Sequence, residues 1–180
     1  YYYNQLSPEW KEFWVAMDVV CASYLTGSDD ITNAQLQAVS TPSGITGDEL
    51  KMLWSLFMYS NPQYYFLLNS YSYSYWTSQD LPTSIILMSY DAFCSGSARA
   101  TATAAIKTQI AAWEAELENC TKDEEKVKKI FDLICKKVTY NDAVLEGDNS
   151  ITASEEQACF SQSIYSVLCT DTTVCAGYAD

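Results

Sequence analysis

The segment Thr172-Thr173-Val174-Cys175-Ala176-Gly177-Tyr178-Ala179-Asp180 holds the residue best suited to chemistry in this chain. Its β-branched run favours an extended backbone, and the small residues after Cys175 allow a helix to begin. The thiol is therefore expected at a strand-to-helix corner or in a first helical turn. There, unpaired backbone N–H groups and the positive end of the helix dipole favour thiolate over thiol. The same N–H groups, that of Cys175 first, suit the oxyanion that forms when sulfur attacks a carbonyl carbon. Nucleophilic acyl transfer is the chemistry this pattern points to. The plainer alternative is a small buried apolar residue, which is what a single cysteine near a helix start usually is.

The segments that must position Cys175 lie upstream, in a distinctive order. They are Glu124-Glu125-Lys126-Val127-Lys128-Lys129-Ile130-Phe131-Asp132-Leu133-Ile134, then Val138-Thr139-Tyr140-Asn141-Asp142, then Gln162-Ser163-Ile164-Tyr165-Ser166-Val167-Leu168. Followed by Val174-Cys175-Ala176-Gly177-Tyr178-Ala179, this series resembles the transglutaminase-like cysteine protein superfamily, in particular its bacterial secreted or surface members. Asn141 stands where that family usually has Asp, with Asp142 next to it. The resemblance covers about residues 121–180. The stretch from Asn61-Pro62-Gln63-Tyr64-Tyr65-Phe66 to Trp76 also looks like the region that precedes such cores.

The resemblance implies a papain-like or transglutaminase-like core represented by its helical half, with Cys175 as nucleophile. It further implies acyl transfer or hydrolysis at peptide or amide bonds, a peptide or protein substrate and no cofactor. Tyr140, Tyr178 and Gln162 become candidates for shaping the site. The family works through a Cys-His-Asp triad in which histidine takes the thiol proton and returns it to the leaving group. This chain contains no histidine. It therefore reads as an N-terminal piece ending inside a catalytic domain, inactive as it stands, from an extracellular or cell-surface protein whose signal peptide is not in the chain.

Composition narrows the partners. The formal net charge is −13 and the isoelectric point about 4.2, so nucleic acid and anionic membrane surfaces would repel the chain. It has no uninterrupted apolar run long enough to cross a membrane. Seven cysteines occur without a Cys-x-x-Cys pair, and without histidine a structural zinc site is not expected. The odd count is compatible with one thiol kept free while others pair. Abundant Tyr, Ser and Thr with few Lys and Arg suit an exported protein, for which a cell-wall or glycan component is a further candidate partner.

In order along the chain, Ser7-Pro8-Glu9 predicts an N-cap and a helix to about Tyr24, buried through Trp10, Phe13, Trp14, Met17, Val20 and Cys21 and closed by Gly27. A loop follows, with a short helical piece over residues 33–39. Thr46-Gly47-Asp48-Glu49 has capping-box spacing and predicts a helix over residues 47–59. Strands are expected over residues 64–68, 71–76 and 84–93, as an antiparallel meander packed on these helices. An alanine-rich helix over residues 97–118 presents Ile106, Ile110, Trp113 and Leu117 on one stripe. Thr121 opens another, with Val127, Ile130, Phe131 and Ile134 inward, and a third core helix runs over residues 154–168 after a polar loop at 146–155.

The fold class expected is α+β, mainly helical with a small antiparallel sheet. Its regions are residues 1–96 (helices and meander), 97–120 (linking helix) and 121–180 (partial core). Tyr71, Tyr73 and Tyr75 alternate with serines, and this row is expected to be the buried face of a strand. Were it exposed, the chain would read instead as a non-catalytic surface or binding module that meets glycan or peptide through aromatic rings.

Overall fold

In the computed structural model, which describes residues 2–76, 81–142 and 162–179, the architecture is α+β, mainly helical with a small antiparallel sheet. Two compact units divide the chain between Ala100 and Thr101.

In the first unit, helix α1 (Pro8–Thr26) starts as its sequence requires, with the Ser7 side chain accepting from the Trp10 N–H. Phe13, Trp14, Met17 and Cys21 are buried, while Trp10 and Val20 are only half-buried at the margins of that face. Gly27 ends the helix, but not through a left-handed conformation: its φ is −84°. Glycine is needed there because a Cβ would stand 2.5 Å from the Ser23 carbonyl oxygen. Helix α2 (Gly47–Ser60) carries the full reciprocal capping box between Thr46 and Glu49 and buries Leu50, Leu53, Trp54 and Phe57. Trp14 of α1 and Phe57 of α2 meet edge to face at 5.2 Å, and Phe57 stacks on Tyr64.

The sheet differs in detail from the expected meander. Its order is β1–β3–β2, all antiparallel, with β1 at Val39–Ser40, β2 at Leu67–Trp76 and β3 at Leu81–Ser89. The helical piece expected over residues 33–39 is absent because Asn33 and Ala34 both adopt positive φ, which turns the chain away from a right-handed helix. Only a three-residue 3₁₀ turn, Thr32–Ala34, forms before Leu36 donates to the Leu87 carbonyl and Val39 pairs with Ile85.

Residues 64–66 form no strand. A turn after Pro62 bonds Tyr64 to Asn61 and Leu67 to Tyr64, so the aromatic run plugs the core. Tyr64 Oη donates to the Asp18 carboxylate at 2.6 Å and Tyr65 Oη to the Arg99 carbonyl at 2.8 Å. Past Ser89 the expected strand gives way to the 3₁₀ turn Asp91–Phe93.

The tyrosine row corrects the expectation of burial. Tyr71 and Tyr73 pair across to Leu87 and Ile85, both fully buried, so the row does lie on the core side of the sheet. The helical layer reaches only its start. Trp54 meets Tyr71 edge-on at 5.8 Å, whereas Tyr73 is 49% exposed and Tyr75 53%. The strand outruns its cover.

Helix α3 (Gly96–Leu117) spans the division between the units. Ile106, Trp113 and Leu117 are half-buried and Ile110 is exposed, so its stripe is shallower than expected. Helix α4 (Asp123–Lys137) begins one residue later than the Thr121 signal implied. Lys122 holds the N-cap position, and the Glu125 carboxylate accepts from the backbone N–H groups of Thr121 and Lys122. Its apolar face is not inward. Val127 is 67% and Phe131 64% exposed, Ile130 is exposed and Ile134 half-buried. Apolar spacing marks a face without supplying a partner, and here α4 is tied to α3 by the Lys129–Glu116 ion pair at 2.7 Å.

Strand β4 (Thr139–Tyr140) pairs parallel with β5 (Thr172–Thr173), and helices α5 (Ile164–Cys169) and α6 (Cys175–Ala179) flank β5 in sequence. The polar loop at 146–155, the first part of the helix expected over 154–168, and Cys159 lie outside the described residues.

Candidate functional site

Cys175 is the first residue of α6 and is exposed, two residues beyond β5. The corner is built from the interior outward. Val174 and Thr173 are buried, and Thr173 Oγ1 meets Ser166 Oγ of α5 at 2.6 Å, while Ser166 Oγ lies 2.7 Å from the Ser163 carbonyl. Thr170 Oγ1 spans the turn, contacting the carbonyls of Ser166 and Thr172 at 2.7 and 2.9 Å. These bonds satisfy hydroxyls that would otherwise carry a desolvation cost and fix where the extended segment ends.

Pairing of β4 with β5 sets the register: Thr139 donates to Asp171 and Asn141 to Thr173. Tyr140 and Tyr178 are thereby stacked, with ring centroids 6.3 Å apart and planes 10° from parallel. Tyr178 Oη also approaches the Val138 carbonyl at 3.4 Å. Three residues after Cys175 on the same short helix, Tyr178 shares a side of it with the thiol. Two of the three site-shaping candidates thus come together on the Cys175 corner. The third does not: Gln162 is exposed in the turn before α5 and hydrogen-bonds neither Cys175 nor the tyrosines among the described residues.

The first three N–H groups of a helix have no intrahelical acceptor, and in α6 these belong to Cys175, Ala176 and Gly177. The next, that of Tyr178, is used by the Val174 carbonyl at 3.1 Å. Gly177 is buried.

The other thiols sit differently. All six described cysteines are free. Burial, with the Asp18 charge adding to it, pushes the Cys21 thiol far up and keeps it neutral. Burial also raises Cys94 and Cys169, Lys137 partly opposing the latter. Cys135 is exposed like Cys175 but occupies the last turn of α4. Among the described residues no cluster of three or more His, Cys, Asp or Glu is placed to hold a metal, and no helix is long and apolar enough to cross a membrane.

The Ser166–Thr173 contact behind the corner was not legible beforehand. Hydroxyls in a polar-looking segment give no sign of which one will be buried. The chain matches no protein-family model, no curated protein and no solved structure.

Proposed function

We propose that this chain is part of a transglutaminase-like cysteine enzyme that transfers or hydrolyses acyl groups at peptide or amide bonds, with Cys175 as its nucleophile. The observation that carries this reading is the β4–β5 pairing, which joins the Val138-Thr139-Tyr140 segment to the corner bearing an exposed thiol. The order of segments in the sequence supports it independently.

In this reading the Cys175 sulfur attacks the acyl carbon, an S–C bond forms, and the carbonyl electron pair moves onto oxygen facing the N–H groups of the α6 start that have no intrahelical acceptor. Collapse breaks the bond to the leaving group. An amine leaves only when protonated, and a general acid–base contributes roughly a hundredfold to ten-thousandfold to that step. No histidine exists in the 180 residues to supply it. Tyr140 and Tyr178 line the approach, the substrate is a peptide or protein, and the setting is extracellular or on the cell surface.

An activated aryl ester separates nucleophile from base, because its phenolate leaves without a proton. Mass spectrometry of the folded protein after brief exposure should find the acyl group at Cys175 before Cys135, and not in Cys175→Ala. Unactivated amides should show no cysteine-dependent turnover. Equal acylation of Cys135, or amide hydrolysis that Cys175→Ala abolishes, would each overturn part of this reading: the first the nucleophile, the second the missing base.

A further inference from the structure

Strand β2 is an outer strand, since the sheet order is β1–β3–β2, and one of its edges faces no other strand among the described residues. Proteins usually blunt such edges with lysine, proline, an inward charge or a very short strand. β2 has ten residues, Leu67-Leu68-Asn69-Ser70-Tyr71-Ser72-Tyr73-Ser74-Tyr75-Trp76, with no charge, proline or glycine. β3 beside it carries no charge either, in a chain of formal net charge −13. The irregularities of its pairing fall between Leu67 and Tyr71 and between Ser74 and Tyr75, so the stretch from Tyr71 to Ser74 is regular. The rings of Tyr71, Tyr73 and Tyr75 follow one another at 6.3 and 6.1 Å, and Trp76 on the opposite face is 66% exposed.

We propose that this edge takes a second copy of the chain, with β2 pairing antiparallel to its twin about a two-fold axis at Tyr73. Tyr71-Ser72-Tyr73-Ser74-Tyr75 reads the same in both directions. Antiparallel pairing about its centre sets Tyr73 opposite Tyr73, Tyr71 opposite Tyr75 and Ser72 opposite Ser74. Aromatic pairs and hydroxyl pairs directly across a ladder are stabilising, whereas like charges there are not. This decides in favour of the β2 edge: two strongly acidic chains repel, and here they approach with no charge on either strand. The contact is self-complementary and closes, joining two three-stranded sheets into one of six strands.

The area sets its strength. Tyr73, Tyr75 and Trp76 are each about half or more exposed. A covered aromatic side chain buries about 150–250 Å². Three partly free rings from each copy, with the strand edges, come to roughly 1,000 Å², near the lower limit for a specific interface. The dimer should therefore dissociate on dilution in roughly the micromolar range.

Sedimentation of the full chain over a wide concentration range, with reductant present to exclude disulfides, tests this. The mass should rise from 20.2 kDa toward twice that value. Tyr73→Lys sets two like charges at the axis and should raise the dissociation constant at least about tenfold, while Tyr73→Phe should leave it within about twofold. Circular dichroism checks both folds. Hydrogen exchange on the unaltered chain supplies a readout that needs no variant: β2 amides should gain protection as concentration rises. A monomer at every concentration would overturn the proposal, as would a dimer indifferent to Tyr73→Lys whose β2 amides stay unprotected. A monomer that binds an insoluble glycan or a peptide through Tyr73 would assign the row to that occupant instead. None of these outcomes bears on Cys175.

Discussion

Arg99 is fully buried and answers to carbonyls rather than to a carboxylate. Its Nε donates to Tyr24 O at 2.9 Å, Nη1 to Phe93 O and Cys94 O at 2.7 and 2.8 Å, and Nη2 to Asp29 O, with the rings of Tyr24 and Phe66 within about 6 Å. One side chain thus fastens the end of α1, the segment after it and the 3₁₀ turn before α3. Desolvating a guanidinium costs several kcal/mol, which the convergent carbonyl dipoles offset only while all of them are in place. Arg99→Met leaves these carbonyls without their donors and should lower unfolding free energy by at least about 1–3 kcal/mol in urea denaturation, with Arg99→Lys recovering part of the loss. A change below about 0.5 kcal/mol, the size of an ordinary surface substitution, would show that the carbonyls find other donors. The sequence hides this residue. An arginine among helix-forming alanines looks like a solvated face, and backbone acceptors leave no side-chain signature to read.

At the scale of elements, what was legible is what forms from near neighbours. Ser7 and Thr46 start α1 and α2 as their spacing predicts, because a cap is satisfied within three residues. Glu49 accepts from the Thr46 backbone and then its hydroxyl, and these bonds hold its carboxyl below the usual range. A depressed folded-state pKa contributes stability above the ordinary carboxylate range and loses it as pH falls through the folded value. The melting temperature of the native protein should therefore exceed that of Glu49→Gln at neutral pH, with the gap closing on acidification below about pH 4. A gap that stays constant with pH would mean that the charge of Glu49 contributes nothing. Elements defined by distant partners were not legible. β1 is two residues long and exists only because Ile85 and Ser84 lie opposite, so it has no periodicity to detect. The spacing of Val127, Ile130 and Phe131 predicted an inward face for α4, and all three are exposed, because apolar periodicity does not supply the partner that would bury them.

At the scale of the whole molecule, the buried aromatic core and the exposed Cys175 thiol fall in different units. Residues 1–100 hold the aromatic core, Arg99 and the outer strand, whereas the thiol corner belongs to residues 101–180. The extended run, the cysteine and the helix after it were legible, because small and β-branched residues sort themselves locally at that point. The Tyr140–Tyr178 stack required β4 and β5 to meet across more than thirty residues of chain, whereas Ser166 and Thr173 are only seven residues apart and were hidden because hydroxyls give no sign of which will be buried. Cys175 and Cys135 provide the sharpest comparison within one molecule: both thiols are exposed, one opening a helix and the other in the last turn of one. Residue-resolved alkylation of the folded protein with limiting iodoacetamide near neutral pH tests the central claim directly. Cys175 should be modified several-fold faster than Cys135, with buried Cys21 slowest and the differences lost in denaturant. Equal or slower modification of Cys175 in the folded protein would contradict it.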